Sequence, residues 1–221
     1  MRPKVAIVLA AYNGAAYVDE QVASIQSQDF TDWQLFVRDD GSTDSTRDRV
    51  ARRARADRRI TVVETPGRLG VVGNFRELLA HAHRAGAEYV FPSDQDDVWL
   101  PTKVSRMLGR MAELEAAHGR ATPLLVHSDL AVVDDALRPL FPSFLGRQRI
   151  EHQETDALEI LLVQNFVTGC ASAANRALID FALPLPECCI MHDWWLAQCA
   201  AACGAIGFVP EATVRYRQHG A

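Results

Sequence analysis

The sequence has no run approaching the roughly 20 consecutive apolar residues that a membrane-spanning helix needs, so no transmembrane segment is expected. Met1 to Lys4 lead straight into Val5-Ala6-Ile7-Val8-Leu9, a stretch too short and too near the terminus for a secretory signal. There is no disulfide framework either, because the five cysteines are an odd number. A zinc site built from Cys188, Cys189, Cys199 and Cys203 is conceivable. The usual paired spacing occurs only once, however, and buried free thiols are the better expectation. A basic excess is also missing: 23 Lys and Arg stand against 28 Asp and Glu, for a net charge of −5, which argues against a nucleic-acid partner. The arginines between Arg47 and Arg59 are interleaved with alanine and aspartate and read as one solvated helix face. Neither G-x-G-x-x-G nor G-x-x-x-x-G-K-[ST] occurs, so neither a dinucleotide fingerprint nor an NTPase phosphate loop is signalled. No repeat, linker or low-complexity region interrupts the 221 residues. The chain is expected to be cytoplasmic, with peripheral contact at the inner face of the membrane left open.

What is present is an alternation of short apolar strands and amphipathic helices. Strands are expected at 4–10, 34–37, 60–64, 89–91 and 124–126, with Pro92 ending the fourth. Helices are expected over about 15–28, from a cap at Ser42 or Asp44 to about Arg55, up to Gly86, after Pro101, and at about 155–164, 176–182 and 193–203. Gly70 to Gly73 read as a loose approach to the third helix, and 206–209 and 213–216 as two strands that pair with each other. The alternation through residue 128 implies a largely parallel sheet, an α/β class with helices on both faces. The rhythm changes near residue 130. One compact domain is expected over 1–221, with a nucleotide- and metal-binding half at 1–130 and an acceptor-side half at 131–221.

Carboxylates follow three of these strands: Asp39 and Asp40 after the second, Asp94, Asp96 and Asp97 after the fourth, and Asp129 after the fifth. All are expected at the carboxyl edge of the sheet, where α/β folds bind ligands. Asp94 and Asp96 are two apart and in an extended segment would share one side. Carboxylates that close repel and raise one another's pKa. A hard cation such as Mg²⁺ or Mn²⁺ removes that cost and brings substrate phosphates with it, although a solvated acidic turn is the plainer alternative. Asp193 stands at an expected helix start and is either a general base or an N-cap. Trp194 and Trp195 are either an apolar wall for a sugar face or core packing, and His127 reads as a packed strand-end residue.

Several segments together carry a resemblance: Val-Ala-Ile-Val-Leu-Ala-Ala-Tyr-Asn-Gly at the start, Arg38 to Asp44, Gly73-Asn74-Phe75, Asp94-Gln95-Asp96-Asp97, His192-Asp193-Trp194-Trp195, and Tyr216-Arg217-Gln218-His219-Gly220. Their order and spacing resemble the family 2 glycosyltransferases of the GT-A fold, and most of all their bacterial rhamnosyltransferase-like branch. The resemblance implies inverting transfer of a sugar, rhamnose being one candidate, from a UDP- or dTDP-linked donor. The acceptor would be a saccharide or lipid-linked hydroxyl of a cell-surface polysaccharide or glycoconjugate. Carried over by residue, it implies that Ala11, Tyr12, Asp39, Asp40, Asn74, Asp94 and Gln95 line the nucleotide and donor site. Asp96 and His219 would hold Mg²⁺ or Mn²⁺, Asp193 would act as the base, and Gly169, Trp194 and Trp195 would lie on the acceptor side. Members of that family commonly continue beyond such an ending, so either further C-terminal helices are missing after Ala221 or the protein is short. A nucleotide-sugar-binding protein without transferase activity and a nucleotidyltransferase are the alternatives. The first has no need of Asp193. The second normally carries a basic residue in the loop after the first strand, and residues 11–16 have none.

Overall fold

The computed structural model describes residues 4–152 and 155–219. In chain order the elements are β1 (Val5–Ala11), α1 (Val18–Gln26), β2 (Trp33–Asp39), α2 (Thr46–Ala56), β3 (Ile60–Val62), α3 (Gly70–Ala85), β4 (Tyr89–Asp94), β5 (Val98–Trp99) and α4 (Lys103–His118). They continue with β6 (Leu124–Val133), β7 (Pro139–Phe141), α5 (Phe144–Gln148), α6 (Ala157–Leu161), a 3-10 turn at Gly169–Ala171, β8 (Ser172–Asn175), α7 (Arg176–Ala182), α8 (His192–Cys203) and β9 (Ala205–Arg217). The strands form one sheet in the order β3-β2-β1-β4-β8-β6-β9-β5, with β7 paired to β6. β1 lies parallel to both β2 and β4, β8 runs antiparallel to β4 and β6, and β6 and β9 are parallel.

The period of two along β1 divides the interior into two layers. Val5, Ile7, Leu9 and Ala11 face a core shared with Val18, Val22 and Ile25 of α1 and Met107 and Met111 of α4. Ala6 and Val8 face the opposite core, filled by Phe75, Leu78 and Leu79 of α3, Leu178 of α7 and Leu196 of α8. A strand buried on both faces needs apolar residues at successive positions, which is why Val5 to Leu9 read as a continuous run. No helix among the described residues is long and apolar enough to cross a membrane.

Several expectations are corrected. β4 runs through Pro92 to Asp94. β8 pairs with β4 only at Tyr89 and Val90, so beyond Val90 that side of the strand is free and a missing N–H leaves no partner unmatched. Asp94 therefore ends a strand and Asp96 lies in the bend after it, so strand alternation does not relate their side chains. Gly70 to Gly73 form the first turn of α3, with Gly70 at φ 70°. Residues 205–217 are one strand, parallel to β6, whose register shifts at Pro210 and Glu211 and again at Thr213. The helix expected at 155–164 is confined to Ala157–Leu161. Of the cysteines, Cys170 and Cys199 are buried, Cys189 is half-buried, and Cys188 and Cys203 are exposed.

Asp129 and His127 lie inside β6 and not in a loop at its end, because apolar residues continue to Val133. His127 packs against His152, Phe166 and Phe208. Asp129 is buried, and its Oδ1 accepts the N–H groups of Leu130, Phe144 and Leu145 at 2.7, 3.1 and 3.2 Å, which anchors α5. Asp129→Ala leaves those amides without an acceptor and is expected to lower the unfolding free energy by about 1–3 kcal/mol. Asp129→Asn keeps Oδ1 and should recover most of it. Urea denaturation of both variants measures this, and equal loss in the two would show that charge matters more than the acceptor.

Candidate active site

The connections to β2 and β3 run to one side of β1 and β4 lies on the other, so the strand order reverses at the carboxyl ends of β1 and β4. Crevices at such a reversal bind ligands in open α/β sheets. A cavity of about 540 Å³ opens there, lined by Ala11, Tyr12, Asp40, Asn74, Asp94, Gln95, Asp96 and His219 together with Arg68, Tyr216 and Arg217.

Its floor is held by a buried ion pair. Arg38 is fully buried, and its Nη1 donates to Asp40 Oδ1 at 2.6 Å and to Asn74 Oδ1 at 3.3 Å, while Nη2 donates to the Gly67 carbonyl at 2.8 Å. Asn74 returns a hydrogen bond to the Arg38 carbonyl. Asp40 also accepts the Leu69 and Gly70 N–H groups at 2.7 and 2.8 Å, so the carboxylate closes the N-terminus of α3, where a negative charge is favoured. Burial pushes its pKa up, but the Leu69 amide, Arg38 and the Gly70 amide outweigh it and hold the carboxyl below the usual range. These bonds leave lone-pair capacity on Oδ2.

The loop after β1 is clipped from both sides. Gln95 pairs with the backbone of Tyr12 through both amide atoms, at 2.8 and 2.9 Å, so its side chain shapes the wall and is not free to reach a donor. Asn13, Gly14 and Ala15 donate their N–H groups to Ser42, Thr46 and Asp44. Asp39 accepts from Ser42 and lines a neighbouring cleft beyond Arg68, not the main cavity. The Arg68 guanidinium lies 4.1 Å over the Tyr12 ring.

On the opposite wall, His219 Nε2 meets Asp96 Oδ2 at 2.6 Å and Nδ1 meets Asp135 at 3.0 Å. The bond to Asp96 raises the His219 pKa above its ordinary value. Arg217, 4% exposed, donates its N–H to Asp97 Oδ1, its Nε to the Asp96 carbonyl and its Nη2 to Glu20, and also bonds the Asp135 carbonyl. Behind the acidic turn, the fully buried Lys103 donates to the Cys170 carbonyl at 2.9 Å and lies 4.7 Å from the Trp99 ring. Ligand atoms of Asp94, Asp97 and Cys170 lie within 4.8 Å of one another. Burial followed by Asp97 and Asp94 pushes the Cys170 thiol well up, so it is held as a thiol, which ligates metals poorly. Asp96 and His219 offer an oxygen and a nitrogen donor 2.6 Å apart, and an ion bound there would have to displace the proton that the raised His219 pKa favours.

Asp193 is not the cap of α8; Met191 occupies that position. Its Oδ2 accepts the Gly169 N–H at 2.9 Å and its Oδ1 the Trp194 N–H at 2.7 Å. Burial raises its pKa. Asp193 in turn helps to raise Asp94, after burial, Asp97 and Asp96. A Cβ on Gly169 would stand 2.8 Å from His192 Nε2 and 3.3 Å from Asp193 Cβ, so glycine permits this close approach. Asp193, Gly169, Trp194 and Trp195 do not line the main cavity. The two indoles line a separate recess and donate to the Leu161 and Ala182 carbonyls.

Arg38, Arg68, Lys103, Cys170 and Arg217 escaped the sequence reading. The only signals were an arginine closing the apolar run Leu35-Phe36-Val37 and another inside the Tyr216–Gly220 ending.

The sheet order and the cavity at its reversal define a GT-A-type fold. A family model described as glycosyl transferase family 2 matches residues 6–156, and the chain belongs to that family. It is 30% identical to the dTDP-rhamnosyl transferase RfbG of Shigella flexneri, over 96% of this chain and 71% of that protein. It is 27% identical to the UDP-Glc:alpha-D-GlcNAc-diphosphoundecaprenol beta-1,3-glucosyltransferase WfgD of Escherichia coli, over 81% of this chain and 64% of that one. Among solved structures, S. aureus TarS superposes with a TM-score of 0.72 at 19% identity, covering 97% of this chain and 37% of TarS. The chain spans 45%, 66% and 50% of the length of three other curated relatives.

The acidic cluster makes stability depend on pH. Asp97 is pushed up to about 7 by burial and by Asp96, above an unfolded value near ~3.9. A raised carboxyl favours the protonated folded state. Its contribution is therefore fully present below about pH 4 and is lost as pH rises through about 7. Chemical denaturation of the metal-free protein should show stability falling across that window, and Asp97→Asn should flatten the fall.

Proposed function

We propose that this domain transfers a sugar, rhamnose being the one favoured by the likeness to RfbG, from a UDP- or dTDP-linked donor to a hydroxyl of a saccharide or lipid-linked acceptor, with inversion. The acceptor would belong to a bacterial cell-surface polysaccharide, and the work would be done at the inner face of the membrane. One observation carries the reading: a single cavity gathers Tyr12, Asp40, Asp94, Asp96 and His219 from four separate parts of the chain, and Asp193 stands close enough to push Asp94 up.

In this reading Tyr12 packs against the base, Asp40 accepts a hydrogen bond from it, and Asp94 orients the ribose or the donor sugar. Asp96 and His219 are the residues that would hold Mg²⁺ or Mn²⁺, and the ion supplies neutralisation of charge on the departing diphosphate. The accepting hydroxyl sits at Asp193. A sugar hydroxyl is a poor nucleophile, and the Asp193 carboxylate takes its proton as the new bond forms on the face opposite the leaving group. A carboxyl raised by burial is a stronger base than one in water and is better matched to that task.

Two measurements test this. Asp193→Asn keeps one carbonyl oxygen for Gly169 or Trp194, so fold and UDP binding should survive. Turnover should fall by roughly 10²–10⁴-fold, the usual worth of a general base. Retained turnover would remove Asp193 from the chemistry, and donor binding without turnover in the wild type would favour a binding protein. Separately, UDP and dTDP affinity measured by calorimetry should weaken by about tenfold or more in chelator and in Asp96→Ala. Equal affinity with and without the ion would overturn the metal role.

A further inference from the structure

An apolar recess of about 240 Å³ opens beside the first turn of α8, lined by Leu162, Pro186, Cys189, Ile190, Met191 and Trp194 among others. It shares no lining residue with the donor cavity. Leu162 and Ile190 are 68% and 72% exposed, and the adjoining Val163 is 82% exposed. Large aliphatic side chains held this far into water, side by side, mark a contact surface. The indole N–H groups of Trp194 and Trp195 are spent on backbone carbonyls, so the rings offer the recess only apolar surface.

A cation stands at its edge. Arg76 of α3 donates from Nη2 to the carbonyl of Pro186, a lining residue, at 3.0 Å, and its Nε is buried with no acceptor. Among the described residues Arg76 has no ion-pair partner, whereas Arg38, Arg49, Arg53 and Arg217 are each paired with a carboxylate. Arg76 and Asp193 both act electrostatically on Cys189, so base, cation and recess are neighbours. A base, a cation and an apolar slot lying together match a molecule that carries a saccharide hydroxyl, a phosphate and a hydrocarbon chain.

We infer that this recess binds the beginning of the hydrocarbon chain of a lipid-linked acceptor, with the Arg76 guanidinium taking the acceptor's phosphate. The inference rests on the donor and base reading above and adds the acceptor's binding site. A guanidinium lacking a carboxylate is well suited to a phosphate, to which it offers a charge-assisted N–H bond. The apolar walls would discriminate against free sugars and free diphosphate.

The test uses the full chain with its donor cavity filled by saturating UDP or dTDP and Mg²⁺, and farnesyl diphosphate as the probe. Tryptophan fluorescence should report saturable binding through Trp194 and Trp195. Arg76→Gln and Ile190→Asp should each weaken it by about tenfold or more, and inorganic diphosphate should not substitute. Ile190 is exposed, so its variant is not at risk of misfolding, and nucleotide affinity in both variants should match the wild type. Wild-type affinity for the probe in both variants would overturn the inference. So would loss of binding to phosphatidylglycerol–phosphatidylcholine vesicles in the variants when the probe itself never binds, since that assigns the patch to a bilayer. If nucleotide binding holds and probe binding fails, the acceptor recess alone falls. If nucleotide fails to bind the wild type, the donor reading falls and this inference with it.

Discussion

Mutual repulsion among Asp94, Asp96 and Asp97 is the constraint on which the rest of this structure depends. Three carboxylates within four positions at the end of a buried strand cannot all ionise cheaply. Burial and mutual repulsion push Asp94 and Asp97 towards their protonated forms, and two buried basic residues brace the turn. Arg217, at the end of the last strand, grips the turn through Asp97 and the Asp96 carbonyl. Lys103, at the start of α4, lies beneath it against the Cys170 carbonyl. Burial pulls Lys103 down to about 8 against the opposing effect of Cys170 and Asp97, and burial followed by Asp96 pushes Asp97 up to about 7, so both ends of this arrangement are held away from their ordinary values. A turn kept acidic in this way suits a ligand that brings its own cation and anionic phosphates.

Around that turn, the loops at the carboxyl edge are held by side chains bonded to distant backbone. Gln95 holds Tyr12, Ser42 and Thr46 hold Asn13 and Gly14, and Asp40 holds Leu69 and Gly70. Such bonds cost little in water but are strong within a partly closed site. The cavity walls are therefore shaped before any ligand arrives. Gln95, Asn74 and Asp40 share this feature: residues that look like ligand contacts spend much of their capacity on holding the site open.

Asp193 is a local tie. It ties the 3-10 turn at Gly169 to the first turn of α8, next to Trp194 of the apolar recess. The stack of His192 on Phe75, with centroids 3.7 Å apart, seats α8 against α3, which lines the main cavity. His192 is held neutral, its pKa pushed down to about 3 by burial.

The alternation of apolar strands and amphipathic helices, the acidic turn, the Gly41 and Gly86 turns and the segments that build the cavity were legible from sequence, because each is written within a dozen neighbouring residues. Asp193 was legible as important but not as the tie to Gly169. What sequence alone could not supply were the pairings across long separations. Arg217 meets Glu20 and Asp97 across 197 and 120 positions, and Lys103 meets Cys170 across 67. Local pattern carries no information about such partners. The same limit explains Asp129, whose strand was cut short because a polar triplet, His127-Ser128-Asp129, looks like a strand end. Only pairing with β9 and the amides of α5 make those polar residues affordable inside the sheet. Composition and motif determined which chemistry this chain can host. Tertiary structure decided which carboxylates face the cavity, which serve as struts, and which cations keep them there, because burial and distance set the energy of a charge and neither is a property of sequence position.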